Sequence, residues 1–309
     1  MNASVSLPAT AGQRDRYRVE PHPFHPRLRH VVIDEDALEE FFRMAAGTDV
    51  QELEYVPFMR FALADLLAAC AGDSLPATLD GLVRERETGG FTIGVRGVRQ
   101  DPESFVKFGT AVGHLLGPTN HDSMSGSFYA RFLVKDTDTS DSYLRQAYRL
   151  FTLHTDGTFV DEATDWLLMM KFAEEHASGG ESRLLHIDDW AERGTFENDP
   201  RGRTPFAYKA PGSKNVAQDV ERPLFFDTRF GLSISFIDQF VQPRTRDEAM
   251  FLKALSASME ASSGTIETPL PIGELVVINN YFWLHGRAPF RKDPQLHREL
   301  MRQRGMFAT

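Results

Sequence analysis

Residues 153–159 (LHTDGTF) carry a His-x-Asp motif at the end of an apolar run. His154 and Asp156 are two residues apart, and residues at that spacing on a strand lie on the same face of the sheet. An imidazole and a carboxylate on one face supply two of the three protein ligands in a two-histidine, one-carboxylate iron site. Although the triplet alone is common by chance, its place at a strand end predicts part of a metal site.

The third ligand is expected from a distant strand. Of the ten histidines, His285 ends the apolar run that begins near residue 276, and it is followed directly by Gly286. His121 and His186 are possible alternatives without comparable surroundings. A histidine at the end of a core strand can reach the mouth of a barrel, but a lone histidine in that position is more often a core residue.

A basic segment follows His285. If residues 298–304 form a strand, Arg298, Arg302 and Arg304 share one face with Leu300. In a helix, Arg298 and Arg302 would still be neighbours. Guanidinium groups bind carboxylates through paired hydrogen bonds, so the spacing indicates a clamp for dicarboxylates. The alternative is a solvated basic face.

Composition limits the classes of protein to consider. The chain has 309 residues, of which 41% are hydrophobic and 25% charged, as in globular domains. The net charge of −10 argues against a nucleic-acid partner. Apolar runs are far shorter than the roughly 20 residues of a membrane span. A single cysteine, Cys70, excludes an internal disulfide, and with no signal-like apolar segment it predicts a cytoplasmic protein.

The pattern of elements changes after the first third of the chain. Apolar spacing and caps predict helices over residues 36–46, 51–71 and 101–116. Short aromatic and β-branched segments then predict strands over residues 127–134, 149–154, 166–172, 183–186, 232–236 and 274–279, with a helix inserted at 247–259. This order predicts a mixed α+β fold with a barrel or jelly-roll core and an N-terminal helical layer. Residues 1–20 are expected to form a flexible arm, and residues 21–309 a single domain.

Several motifs together resemble one family. They are residues 122–126 (DSMSG), 129–132 (YARF), 280–287 (NYFWLHGR) and 298–305 (RELMRQRG), with residues 140–146 and 238–243 also typical. The combination resembles the CsiD family, the glutarate 2-hydroxylases of bacterial lysine and glutarate catabolism, over residues from about 50 to 307. This family lies within the Fe(II)/2-oxoglutarate-dependent oxygenases, among the taurine dioxygenase-like enzymes.

The resemblance implies roles for particular residues. His154, Asp156 and His285 correspond to the iron ligands. Arg298 lies where related oxygenases place the arginine that binds the distal carboxylate of 2-oxoglutarate. Ser182 follows a Gly-Gly turn that resembles the Gly-Gly-x-Thr turn of those enzymes, whose hydroxyl helps to bind 2-oxoglutarate, although a plain hairpin turn is an equal alternative.

Further residues are candidates for contact with substrate. Arg302 lies where taurine dioxygenase-like enzymes place a second arginine near substrate and cosubstrate, and Arg304 shares its face. Tyr129 and Arg131 lie on one strand and point the same way, so they are candidates too. For that last pair, a structural role is the alternative.

The resemblance also implies a fold and a reaction. The fold is a double-stranded β-helix, or jelly roll, with helices packed outside it. The reaction uses Fe(II), 2-oxoglutarate and O2 to convert glutarate into L-2-hydroxyglutarate, with release of succinate and CO2, and the family suggests a homotetramer. Three alternatives stay open: an oxygenase for another short dicarboxylate, a dicarboxylate-binding jelly roll without activity, and a hydrolytic zinc enzyme with the same ligands.

Overall fold

The computed structural model describes residues 15–95, 97–123, 125–137, 146–210, 212 and 219–309. Residue 124 and residues 140–145, which belong to two of the family-like motifs, lie outside the described residues. Within the described part, helices and several β-sheets are mixed, as the sequence predicts.

The described helices are concentrated before residue 117. They are α1 (Glu35–Met44), α2 (Val50–Tyr55), α3 (Pro57–Ala71), α4 (Leu75–Arg84), α5 (Pro102–Leu116), α6 (Arg193–Glu197), α7 (Pro200–Arg203) and α8 (Arg246–Glu260), with 3-10 turns at Ala45–Gly47 and Ile187–Asp189. The helix predicted over 101–116 is confirmed as α5, because the Asp101 side chain accepts a hydrogen bond from the Ser104 N–H and Pro102 begins the helix.

The single helix predicted over residues 51–71 is wrong. The structure has α2 and α3 there, separated at Val56, whose φ of −122° and ψ of 87° are not helical. Proline disfavours a helical conformation in the residue before it, so Pro57 ends one helix and begins the next. No single helix among the described residues is long and apolar enough to cross a membrane; α3 and α4 meet the length and composition test only as a pair bent by 107°.

The described strands form four sheets. They are β1 (Tyr17–Pro21), β2 (Arg29–Ile33), β3 (Gly90–Gly94), β4 (Ala130–Lys135), β5 (Phe151–His154), β6 (Trp166–Glu175), β7 (Ser182–His186), β8 (Phe206–Tyr208), β9 (Val220–Arg222), β10 (Phe225–Thr228), β11 (Gly231–Ile234), β12 (Val241–Gln242), β13 (Ile266–Thr268), β14 (Glu274–Asn279), β15 (Trp283–Arg287) and β16 (His297–Gly305). The predicted arm of residues 1–20 needs correction at its end, because β1 pairs with β2; residues 1–14 lie outside the described residues.

Two of these sheets carry the candidate metal ligands and the basic segment 298–304. The larger has seven strands in the order β1-β2-β3-β14-β6-β16-β4, and the smaller has four in the order β13-β7-β15-β5. Only β2 and β3 run parallel among the described pairs of these two sheets. Strands β8, β9 and β12 form a third sheet, and β10 pairs with β11.

The central strands β3 and β14 of the seven-stranded sheet are buried on both faces. Leu275 and Val277 of β14 pack into a core shared with α1, α3, α4 and α5, whereas Val276 and Ile278 pack into a second core with β7, β15 and α8. Alternate residues of one strand therefore serve two cores, which explains why residues 275–278 of β14 are all apolar. Helices α1, α3, α4 and α5 cover one face of the large sheet, and the small sheet lies against the other.

Candidate metal centre and anion pocket

His154 and His285 face each other on neighbouring strands of the four-stranded sheet. His154 ends β5 and lies opposite His285 of β15 in antiparallel register, with ring centroids 4.1 Å apart. Their Nε2 atoms lie 3.8 and 4.0 Å from Oδ1 of Asp156. One donor atom from each residue lies within 4.8 Å of the others. The structure thus brings together the three residues that sequence analysis selected as metal ligands.

The protonation of these side chains suits a metal ion. Burial lowers the pKa of His154 and of His285, so both imidazoles are neutral at pH 7. Nδ1 of His154 lies 2.8 Å from the carbonyl oxygen of Thr152 and donates to it, which leaves the lone pair on Nε2 available. Two neutral imidazoles and a carboxylate are the donor set of non-haem Fe(II) sites, so these residues fit that metal.

Asp156 is a carboxylate with its two oxygens in different surroundings. Burial alone would raise the pKa of Asp156, but Arg302 and His285 outweigh that effect and hold the pKa well below its usual range. Oδ1 is the oxygen near both histidines, and Oδ2 lies 3.0 Å from Nη1 of Arg302. One oxygen is therefore directed to the metal position while the other binds an arginine.

A first group of cationic side chains lies beside this triad on β16. Nη2 of Arg302 donates to Oδ2 of Asp122 over 2.7 Å, and Nη2 of Arg304 lies 3.7 Å from the same oxygen. The guanidinium carbon of Arg302 lies 4.7 Å from the ring centroid of Phe132. Burial would raise the pKa of Asp122, but the two arginines lower it overall, so Asp122 is a charged partner of both. Its presence in the 122–126 motif was the available signal, but sequence reasoning assigned it no role.

A second cationic group lies near the start of β16. Arg298 is 3% exposed, and burial lowers its pKa to about 10. Its Nε lies 3.9 Å from Oε1 of Glu174, a distance at the limit of an ion pair. Arg287 of β15 also faces this region, and burial followed by repulsion from Arg298 lowers its pKa to about 10. The two guanidinium carbons lie 5.3 and 5.6 Å from the ring centroid of Phe290.

Arg287 ends the 280–287 motif but is not among the candidate residues chosen from the sequence. Nη2 of Arg287 donates to the carbonyl oxygen of Gln146 over 2.7 Å. Ser182 begins β7 directly opposite Arg287 in antiparallel register, and both residues are buried. Arg287, Arg298 and Ser182 therefore form one polar end of the site.

A single cavity connects the two cationic groups with the three candidate ligands. Its lining includes His154, Asp156, Ser182, His285, Arg287, Arg298, Leu300, Arg302 and Arg304, together with the apolar rings of Phe132, Phe151 and Phe159. The segment 298–304 is part of β16, so the predicted common face of its arginines is confirmed. Such a cavity suits small dianions that lie with one end near a metal.

The structure does not bring Tyr129 and Arg131 to this cavity. The Tyr129 hydroxyl donates to Glu54 over 3.2 Å, and Arg131 pairs with Glu299 on the exposed face of β4. Alternation along this edge strand turns Phe132, not Arg131, towards the cavity. Neither side chain lines the cavity, and these contacts favour the structural role that was the alternative for this pair.

The sequence is similar to one protein family over most of its length. The sequence matches the profile of the CsiD family over residues 17–307, a longer span than the motifs alone indicated. The glutarate 2-hydroxylase of Klebsiella pneumoniae (strain 342) is 43% identical over 295 residues, covering 94% of this chain and 91% of its own length. The glutarate 2-hydroxylase of Salmonella typhimurium (strain SL1344) is 42% identical over 315 residues, covering 100% and 97%.

Solved structures with similar folds are iron oxygenases. Asparagine oxygenase in complex with Fe(II), 2S,3S-3-hydroxyasparagine and succinate has a TM-score of 0.71 at 16% identity, covering 90% of this chain and 93% of its own. The non-haem iron oxygenase OrfP in complex with Fe and alpha-ketoglutaric acid has a TM-score of 0.62 at 16% identity, covering 87% and 90%. At these identities the similarity is one of fold.

Proposed function

This chain belongs to the CsiD family, and on that premise we propose that it is an Fe(II)- and 2-oxoglutarate-dependent dioxygenase that hydroxylates glutarate at C2. The products are L-2-hydroxyglutarate, succinate and CO2. The observation that carries the proposal is the position of two separate arginine groups in one cavity with the His154, Asp156 and His285 triad. 2-Oxoglutarate and glutarate are dianions of the same carbon length, and each arginine group can bind a carboxylate of one of them.

The residues fit the iron and the cosubstrate. When bound, Fe(II) supplies the activation of O2 that is coupled to decarboxylation of 2-oxoglutarate. His154, Asp156 and His285 would hold the metal through one donor atom each. Arg298 binds the distal carboxylate of 2-oxoglutarate through a paired hydrogen bond, and Ser182 donates its hydroxyl to the same end.

The second arginine group serves glutarate. Arg302 and Arg304 bind one of its carboxylates and thereby fix the distance from that carboxylate to the carbon that reacts. The rings of Phe132 and Phe159 line the cavity and exclude water from the carbon chain. Hydroxylation at a C–H bond needs no acid or base from the protein, so the side chains act by binding and orienting.

Three further properties belong to this proposal. We propose that the seven- and four-stranded sheets form a double-stranded β-helix, which the fold similarity to iron oxygenases supports. We propose a homotetramer on the family resemblance. We propose that the enzyme is cytoplasmic and acts in lysine and glutarate catabolism. The single cysteine, Cys70, supports a reducing compartment.

A substrate screen tests the proposed function. The purified chain is reconstituted with Fe(II) without oxygen, then given 2-oxoglutarate, O2 and one of succinate, glutarate or adipate. We expect CO2 release and hydroxylated product to be coupled with glutarate, and to fall on the order of 100-fold with the shorter and longer diacids, because a misplaced carbon reacts slowly. Oxygen-independent turnover would instead indicate a hydrolase, and binding without turnover a binding protein.

A further inference from the structure

Asn280 lies in the turn between β14 and β15, and its side chain binds the loop that carries Asp156. Its Oδ1 accepts a hydrogen bond from the Asp156 backbone N–H over 2.9 Å. Its Nδ2 donates to the carbonyl oxygen of Asp156 and to that of Thr164, each over 2.9 Å. Asn280 is 6% exposed, so these bonds lie out of contact with bulk water.

These contacts supply hydrogen-bond partners to the backbone of Asp156, which lies two residues past the end of β5. Strand β5 ends at His154, so no ladder partner exists for the peptide groups of Asp156. Buried peptide groups need partners, and the amide of Asn280 supplies one to the N–H and one to the carbonyl oxygen. The preceding residue is fixed separately, since the Thr155 N–H donates to Phe236 over 2.8 Å.

The chemistry of the partners requires an amide at this position. The Asp156 N–H must meet an acceptor, and the two carbonyl oxygens must meet a donor, so only one orientation of the Asn280 amide satisfies all three. A carboxylate of the same size would keep the acceptor but place a second oxygen against the two carbonyl oxygens. An alanine would leave all three peptide groups buried without these partners.

We propose that Asn280 is a positioning residue for the metal ligand Asp156. By fixing both peptide groups of Asp156, it sets the distance of the carboxylate from His154 and His285 before metal binds. The inference rests on the proposed function, because it requires that these three residues bind a metal. Residues that hydrogen-bond to a metal ligand hold that ligand in place, and their loss typically weakens metal affinity about 10- to 100-fold.

Asn279 provides a matched control in the neighbouring position. It is 0% exposed, and its Nδ2 donates to the carbonyl oxygen of Val83 over 3.1 Å. Its Oδ1 accepts from the Tyr281 N–H over 3.1 Å. The two asparagines are therefore both buried, and each is hydrogen-bonded through its amide nitrogen and oxygen, but only the Asn280 bonds reach the metal-ligand loop.

The test measures metal binding directly, with Co(II) as the probe. Co(II) is titrated into the full chain without oxygen, and its visible absorption gives both an affinity and a report of ligand geometry. We expect Asn280→Asp and Asn280→Ala to bind Co(II) about 10- to 100-fold more weakly and with a shifted spectrum. We expect Asn279→Asp to lower the midpoint of thermal unfolding but to keep Co(II) affinity within about twofold of wild type.

The outcomes separate this inference from the proposed function. If wild type does not bind Co(II), the proposed function fails and the inference fails with it. If wild type binds and the folded Asn280→Asp variant binds equally well, only the inference is overturned. Equal weakening by Asn279→Asp would also overturn it, since the effect would then report general stability. Should Asn280→Ala not fold, the size-matched Asn280→Asp variant decides.

Discussion

Arg302 bridges two buried carboxylates, and one of them is the candidate metal ligand Asp156. Its Nη1 lies 3.0 Å from Oδ2 of Asp156, and its Nη2 lies 2.7 Å from Oδ2 of Asp122. Sequence analysis assigned Arg302 to substrate or cosubstrate alone. The structure adds a second role, because the same guanidinium orients the ligand carboxylate and faces the substrate cavity.

This relationship predicts that Arg302→Ala impairs more than substrate binding. Removing the cation leaves Asp122 and Asp156 buried without their main partner, so we expect the free energy of unfolding to fall by roughly 3–5 kcal/mol. Co(II) affinity should fall with it. Arg302→Lys should recover only part, because one ammonium cannot reproduce the planar fork that meets both carboxylates. Urea unfolding and Co(II) titration measure these effects, and unchanged values in Arg302→Ala would show that the bridge is dispensable.

Removing the charge of Asp122 should strengthen anion binding in the cavity, whereas removing Arg302 should weaken binding there. Asp122→Asn keeps an oxygen that can accept from Arg302 but removes one negative charge beside Arg302 and Arg304. We therefore expect a competing anion such as sulfate to inhibit glutarate hydroxylation about tenfold more strongly, a change of ~1.4 kcal/mol. The inhibition constant at fixed ionic strength measures this. Unchanged or weaker inhibition would mean that Asp122 does not oppose anion binding.

Arg298 predicts a selective loss of cosubstrate binding. In Arg298→Ala we expect the KM for 2-oxoglutarate to rise at least about 100-fold, since removing one partner of a buried ionic contact costs roughly 3–5 kcal/mol. The KM for glutarate should change much less. Arg298→Lys should recover part of the affinity because it restores charge without the bidentate geometry. Normal 2-oxoglutarate affinity in Arg298→Ala would transfer this role to Arg287, Arg302 or Arg304.

His114 predicts a loss of stability in mild acid. Burial, with a smaller effect of Arg60, lowers the pKa of His114 from 6.5 to about 4. Between these pH values the unfolded chain binds a proton that the folded chain does not, so stability falls as the pH falls from 6.5 to 4. The largest contribution from this one group is about 3 kcal/mol.

The variant His114→Phe checks that assignment. The ring of His114 contacts Phe61 and Phe128, so a phenyl ring suits the site. We expect the unfolding free energy of this variant to depend less steeply on pH between 6.5 and 4 than that of wild type. Parallel pH profiles for the two proteins would assign the acid sensitivity to other buried histidines.

The candidate ligands could be predicted from sequence because their information is local. A spacing of two on a strand predicted that His154 and Asp156 lie together, and the apolar run before His285 marks a core strand. In the structure β5 ends at His154 and Asp156 lies just beyond it, but the two side chains still meet. The common face of Arg298, Arg302 and Arg304 follows from the same alternation. Pro57, too, was a visible signal for the break between α2 and α3, but helical spacing on both sides of it favoured a single helix.

Other features depend on contacts between distant segments. Asp122 and Arg302 are 180 residues apart, and Asn280 reaches Asp156 across 124. Nothing in the local pattern of either segment specifies such a pairing. Alternation also predicted that Tyr129 and Arg131 share a face, but which face meets the cavity is set by the pairing of β4 with β16 at the sheet edge.

The fate of oxygen in a single reaction tests the proposed hydroxylation of glutarate directly. The Fe(II)-reconstituted chain is given glutarate, 2-oxoglutarate and isotopically labelled O2, and the products are quantified by mass spectrometry. We expect equal amounts of 2-hydroxyglutarate and succinate, with the label in the new C2 hydroxyl. Product that forms without O2, a hydroxyl that carries no label, or 2-oxoglutarate turnover that leaves glutarate unchanged would contradict the proposed hydroxylation.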